Sequence, residues 1–219
     1  MIDHFKITVH EQLEQGSEEW HQLKAGRISS TSVGGIFTKG KDKWGLGAGL
    51  LTQLDRVTAE IKTGESQSSD YTNSNMERGK IMEQEAIREY EIETFRVVKS
   101  IGFVAMGKYF GDSPDGWVGE DGCIEAKSPT AKVHQKYLRL SKDPKWKTEY
   151  HTQIKWHMFV GKKKWCDFIS FNPDFPEKER LLVVRYTLTE EEIRLMTEKA
   201  KSLVVAIEEN LPSEFKQAA

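Results

Sequence analysis

The sequence predicts an α/β (α+β) fold in which a central mixed β-sheet is flanked by α-helices. Three observations carry that expectation. Apolar residues recur at helical spacing before residue 95 and again after residue 189. A β-rich stretch broken by hairpin residues fills 96–127, and two more β-rich runs follow helical segments before residue 188. The chain has 219 residues, 37% of them hydrophobic and 10% aromatic, enough to bury a core. With no internal repeat and no long Pro/Gly/Ser linker, one domain over 1–219 is expected, closed by a C-terminal helix at about 189–210.

Taken in order, Ser17 followed by Glu18 and Glu19 reads as an N-cap with acidic residues in the first turn, opening a short helix through Lys24. Ser29 and Ser30 are candidates to cap another short helix reaching Phe37. Leu50, Leu51, Leu54, Val57 and Ile61 keep a helical period that Gly64 ends. Residues 65–75 read as a polar loop, and a helix from about Met76 to Glu93 carries the stripe Met82, Ala86, Tyr90. Residues 96–110 form a β-rich run around Gly102, and Ser113-Pro114-Asp115-Gly116 has turn chemistry. Trp117-Val118 and Cys123–Lys127 are predicted to pair as a hairpin through Glu120-Asp121-Gly122. Helices at about 131–141 and 146–160 precede strands at 165–171 and 181–188. Thr189 with Glu192 forms a capping box for the last helix, whose stripe is Ile193, Met196, Ala200, Leu203, Val204 and Ile207.

Several function classes are excluded at this level. No apolar run approaches the ~18 residues of a membrane span, and the charged first twenty residues do not read as a signal peptide. A soluble, cytoplasmic protein is therefore expected. Cys123 and Cys166, in no paired spacing, cannot build a disulfide framework or a four-cysteine metal site, and they read as core thiols. Gly35–Lys41 imitates a P-loop, but Asp42 stands where a hydroxyl residue belongs and no buried strand precedes it. His21, His134, His151 and His157 show no metal-ligand spacing and read as surface or core residues. The net charge of −2 hides a segment, Lys127–Lys164, with eleven basic residues against two acidic ones. A polyanion such as nucleic acid is the natural partner for such a stretch. Lys162, Lys163 and Lys164 are its densest part and the expected DNA contacts.

The chemistry concentrates in Ser113-Pro114-Asp115-Gly116 and Cys123-Ile124-Glu125-Ala126-Lys127. On a strand Glu125 and Lys127 share a face, and the hairpin returns Asp115 beside Glu125. Two adjacent carboxylates repel unless a hard divalent cation lies between them, and such an ion suits phosphodiester hydrolysis. Lys127 is placed to orient water, move a proton or contact the phosphate, with burial and the metal both expected to favour its neutral amine.

These residues resemble the PD-(D/E)xK nucleases, and within them the lambda-exonuclease-like (YqaJ-like) viral recombinase family. The resemblance runs in family order from Trp20-His21-Gln22-Leu23-Lys24-Ala25-Gly26-Arg27-Ile28-Ser29 through Gly79-Lys80-Ile81-Met82-Glu83. It continues through Ser113-Pro114-Asp115-Gly116 and Glu125-Ala126-Lys127 to Gln153-Ile154-Lys155. It implies a restriction-endonuclease-like fold, with Asp115, Glu125 and the Ala126 carbonyl as metal ligands and Lys127 as catalytic lysine. It also implies that Glu83 faces the metal and that Gln153 lies close to the site. Lys24, Thr31 and Ser113 fall on the family's 5′-phosphate pocket; the family commonly has arginine at the position of Lys24, and Arg27 is a candidate substitute. Met76 falls on an apolar wedge that parts the terminal base pair. Lys155 replaces a family glutamine, so that role is not carried over.

The function so implied is a Mg²⁺-dependent exonuclease, with Mn²⁺ able to substitute. It would digest one strand of linear duplex DNA from the 5′ end and leave a 3′ tail for recombination. The implied assembly is a ring-shaped homotrimer, its partner a single-strand annealing protein, and its setting a phage-encoded system in the cytoplasm of a bacterial host. Two other classes compete: an endonuclease or resolvase built on the same site, and a catalytically silent DNA-binding subunit.

Overall fold

A computed structural model describes residues 4–66 and 74–216, with side chains described for 4–66 and 81–215. The elements are β1 (Ile7–His10), α1 (Glu18–Lys24), α2 (Ala48–Thr63), α3 (Ser74–Thr94), β2 (Val98–Lys99), β3 (Phe103–Met106), β4 (Phe110–Asp112), β5 (Gly116–Val118) and β6 (Gly122–Lys127). Then come α4 (Ala131–Leu140), α5 (His151–Gly161), β7 (Trp165–Phe171), β8 (Leu181–Thr187), α6 (Glu190–Asn210) and α7 (Ser213–Lys216).

The strands form two sheets. The larger has the order β2-β5-β6-β7-β8, antiparallel throughout except for the parallel pair β6–β7, so it is mixed as expected. The smaller is the antiparallel set β1-β3-β4. Helix α5 is held between them, packing against β3 and β4 on one side and β6, β7 and β8 on the other. Its sequence explains the position: Ile154, Trp156, Met158 and Val160 are all buried, which no one-sided amphipathic helix would allow. Helix α3 covers the other face of the large sheet, where Ala86 and Tyr90 pack with Ile124, Ala126 and Ile169. The largest core joins α2, α5 and α6 to the small sheet.

Local signals account for most boundaries. The Ser17 hydroxyl accepts from Trp20 N at 3.2 Å, capping α1. Gly64 ends α2 in the left-handed conformation (φ 72°), which glycine adopts without steric cost. Thr189 and Glu192 close their capping box at the start of α6. Ile193, expected on the buried stripe of that helix, is 44% exposed, whereas Met196 to Ile207 bury their apolar positions. The helix expected from Ser29 to Phe37 shrinks to a 3-10 turn at Ser30–Ser32, because Gly34 and Gly35 favour turns over continuation. The helix expected at 146–160 starts only at His151, and β1 and α7 were not foreseen. The Gly35–Lys41 segment leads into a turn in which Asp42 accepts from Trp44 N and Leu46 N, with no phosphate-loop geometry. Among the described residues no helix is long and apolar enough to cross a membrane.

Candidate active site

The site forms where the β5–β6 hairpin opens. Gly116 pairs with Ile124, so Asp115, one step further along, lies opposite Glu125. The Asp115 carboxylate accepts a 2.6 Å hydrogen bond from Ala126 N. In an extended strand the N–H and C=O of one residue lie on the same edge, so the Ala126 carbonyl also faces the Asp115 side. Glu125 is fully buried, and its Oε1 forms an ion pair with Lys127 Nζ on the same strand face. The Lys127 ammonium lies 5.0 Å from the centre of the Tyr150 ring. Ser128 Oγ donates to Met82 O at 3.2 Å, fastening the end of β6 to α3 next to Glu83.

The charges are poorly matched. Burial, then Glu125 and also Glu83 push the Asp115 carboxyl well above its ordinary range, against the pull of Lys127. Burial also works to raise Glu125, but Lys127 and His157 outweigh it and hold Glu125 at about 2. Burial works to lower the Lys127 ammonium, yet Glu125 and Asp115 raise it instead. At Lys127 the two carboxylates thus outweigh desolvation, opposite to the direction that burial alone favours. Two carboxylates opposed across the hairpin, with the Ala126 carbonyl on the Asp115 side and only one ammonium beside them, are a donor set that suits a hard divalent cation. Asp115, Glu125 and the Ala126 carbonyl are the residues that would hold it. Among the described residues no three His, Cys, Asp or Glu side chains cluster as metal ligands, so such a site rests on two carboxylates and a carbonyl.

The remaining candidates are placed unevenly. Gln153 lies on α5 one turn before His157, on the helix face turned toward Glu125. Lys24 Nζ sits 4.3 Å above the Trp20 ring, and the Trp20 indole donates to Ser113 Oγ at 2.9 Å, so Lys24 and Ser113 meet through Trp20. Burial and Arg56 lower the Lys24 ammonium. The Ser113 hydroxyl donates its proton to Gly102 O at 3.1 Å, leaving a lone pair rather than a donor open to a ligand. Thr31 is exposed in the 3-10 turn, 3.3 Å from Ser29 Oγ, in a segment that runs beside β4. Met76 lies in α3, but its side chain falls outside the described residues.

Two groups of expected DNA contacts sit away from the carboxylates or are engaged within the chain. Arg27 is committed to the backbone, donating to Leu23 O at 2.9 Å, Gly107 O at 2.7 Å and Phe110 O at 3.1 Å, so it is not carried forward as a DNA contact. Lys162, Lys163 and Lys164 lie at the opposite end of β6. Lys163 is buried and donates to Glu120 O at 2.7 Å, and Lys164 pairs with Asp121 at 3.0 Å. Lys162 is the left-handed C-cap of α5. Lys155, counted with the same basic segment, is buried and paired with Glu192 at 2.6 Å. The exposed basic stripe that does lie near the site is Lys132, Lys136 and Arg139 on α4, which starts four residues after Lys127.

Sequence reasoning passed over Asp112 and His157. His157 Nδ1 lies 2.6 Å from Asp112 and its Nε2 lies 2.7 Å from Glu125, all three fully buried. Burial works to lower the imidazole, but Asp112 and Glu125 raise it well above its ordinary value. The available signal was spacing: His157 is four residues after Gln153, and Asp112 is three before Asp115.

Comparison with known proteins agrees with this geometry. The profile of the YqaJ-like viral recombinase domain matches residues 19–164. An alkaline exonuclease from Laribacter hongkongensis superposes with a TM-score of 0.71 at 26% identity, over 91% of this chain and 95% of that one. The structure of that exonuclease in complex with dAMP gives 0.70 at 28% identity, over 89% and 94%. A phage related exonuclease from Haemophilus somnus gives 0.61 at 12% identity, over 86% and 96%, a likeness of fold alone. No curated protein matches the chain in sequence. The fold is that of restriction-endonuclease-like exonucleases, a central mixed sheet flanked by helices.

Proposed function

The chain belongs to the YqaJ-like viral recombinase family, a family of divalent-metal-dependent nucleases, and from that premise we propose that it is a Mg²⁺-dependent 5′-to-3′ exonuclease of linear duplex DNA. The observation that carries this reading is the pair Asp115 and Glu125, opposed across the hairpin with Lys127 closing their open side. A divalent cation held by Asp115, Glu125 and the Ala126 carbonyl would supply Lewis acidity at a phosphate oxygen and a more acidic water. The protein's own part is to fix the geometry. Ala126 N holds the Asp115 carboxylate, β6 aligns Glu125 with Lys127, and the Lys127 ammonium is placed to hold water or a phosphate oxygen. Glu83 adds negative charge that a cation would offset.

End recognition is assigned to the Lys24 ammonium and the Thr31 hydroxyl; Ser113, two residues before Asp115, holds the Trp20 ring on which Lys24 sits and would donate to a phosphate only by releasing Gly102 O. A terminal phosphate carries more charge than an internal diester, so a partly buried ammonium favours it. Gln153 borders the reacting phosphate from α5. The product is a 3′-tailed duplex for phage-type recombination, handed to a single-strand annealing protein. A ring-shaped homotrimer would retain the DNA, and Mn²⁺ is expected to replace Mg²⁺. The setting is the cytoplasm of a bacterial host of the encoding phage or prophage.

The test uses linear duplexes labelled at the 5′ or the 3′ end, with 5′-phosphate or 5′-hydroxyl termini, beside covalently closed circles. Metal-dependent release of the 5′ label from linear DNA, faster with a 5′-phosphate, is the expected result. Cutting of closed circles would replace this reading with an endonuclease, and metal-independent silence on every substrate with a DNA-binding subunit.

A further inference from the structure

The least explained group near the site is His157. It is fully buried at the centre of α5, and no packing need is met by a polar ring that an apolar side chain would not meet. Its two nitrogens each reach a different carboxylate: Asp112 on β4 in the small sheet and Glu125 on β6 in the large one. Each ring nitrogen lies within hydrogen-bond distance of a carboxylate oxygen, so both edges of the ring are engaged. The ring therefore has no rotational freedom left, and neither has the Glu125 oxygen it binds.

We infer that Asp112 and His157 are positioning residues that fix the rotamer of Glu125. His157 occupies Oε2 of Glu125, so the other oxygen is the one turned to Lys127. Asp112 holds the ring from behind, as a carboxylate commonly orients a histidine next to a metal site. The inference deepens the metal-site reading and rests on it. The arrangement also fixes distance along the chain. Asp112 ends β4 and Asp115, three residues on, precedes β5, one bracing His157 and the other bound to Ala126 N, so a single backbone segment sets both sides of the site.

The geometry makes an asymmetric prediction for substitutions at 157. The amide nitrogen of glutamine reaches about as far as Nε2 and can still donate to Glu125. That of asparagine reaches about as far as Nδ1, toward Asp112 only. Titrating metal-free protein with Mn²⁺ by calorimetry should show His157→Gln close to wild type. His157→Asn should bind Mn²⁺ about 10–100-fold more weakly, the scale of a lost orienting partner. Asp112→Asn should fall between them. Circular dichroism and duplex binding without metal should be unchanged in all three variants, which separates positioning from folding. Equal Mn²⁺ affinity of the Gln and Asn variants would overturn the inference. Glu125→Gln serves as the control and should lose Mn²⁺ binding; if it keeps wild-type affinity, the metal-site reading fails first and the positioning role falls with it.

Discussion

The two ends of β6 make an instructive pair, because each gathers acidic and basic side chains and only one leaves them unbalanced. At the hairpin end, Lys163 donates to Glu120 O, Lys164 pairs with Asp121, and the Arg185 guanidinium lies 3.8 Å from the centre of the Trp165 ring. Each of these cations has a partner, and the cluster closes a turn. About 17 Å away along the strand, the buried Glu125 and the half-buried Asp115 oppose each other with a third carboxylate in range and one lysine, paired with Glu125, beside them. Asp115 is pushed up while Glu125 is held down, as happens when like charges share a site that lacks a compensating cation. Charge content does not separate the two ends; the satisfaction of that charge does. The unbalanced end is where a ligand gains most.

That contrast is sharpened by substitutions at each end. The largest effect is expected from Asp115→Asn or Glu125→Gln, which should abolish nucleotide release while duplex binding survives. Retention of more than about a tenth of wild-type activity would remove the residue from the site. Lys127→Ala should slow turnover roughly 10²-fold or more, whereas Lys164→Ala, at the satisfied end, should leave kcat unchanged; a mild effect at Lys127 would erase the distinction. Salt dependence of duplex binding comes next. Charge reversal at Lys132, Lys136 and Arg139 should flatten the slope of log K against log salt by roughly 0.9 per lost contact. Reversal at Lys162 and Lys164 should not change it, and the opposite pattern would return DNA to the hairpin end.

The smallest effect is on stability. Asp115 has a raised pKa in the folded protein, so its contribution to stability is full below the ordinary value of 3.8 and is lost as pH rises through the raised one. In metal-free buffer Asp115→Asn should therefore melt at the wild-type temperature in acid and above it at neutral pH, by about 2–4 °C for each kcal/mol of repulsion removed. Scanning calorimetry across pH checks this. Lys164→Ala should shift stability by less than about 0.5 kcal/mol at any pH.

What could be read from the sequence follows the range over which each signal acts. The juxtaposition of Asp115, Glu125 and Lys127 was legible because strand alternation and a ten-residue return are local rules, and they place Asp115 opposite Glu125. The caps at Ser17 and at Thr189 with Glu192 were legible for the same reason. β1 was not, since its four residues gain their strand character from pairing with β3 nearly a hundred positions later. His157 was passed over because its partners, Asp112 and Glu125, are 45 and 32 positions away. The partners of the lysine cluster were not legible, because counting charges does not reveal that Glu120 O and Asp121 lie at the hairpin turn. Those of Arg27 were not legible either, its guanidinium being taken by three carbonyls.

The central claim is that the open end of β6 holds a divalent cation between Asp115 and Glu125. Anomalous diffraction from crystals soaked in Mn²⁺ tests it most directly. The account predicts a peak at coordination distance from both carboxylates and the Ala126 carbonyl, absent from crystals of Asp115→Asn. A Mn²⁺ peak elsewhere on a protein that still cleaves DNA, with none between these residues, would contradict it.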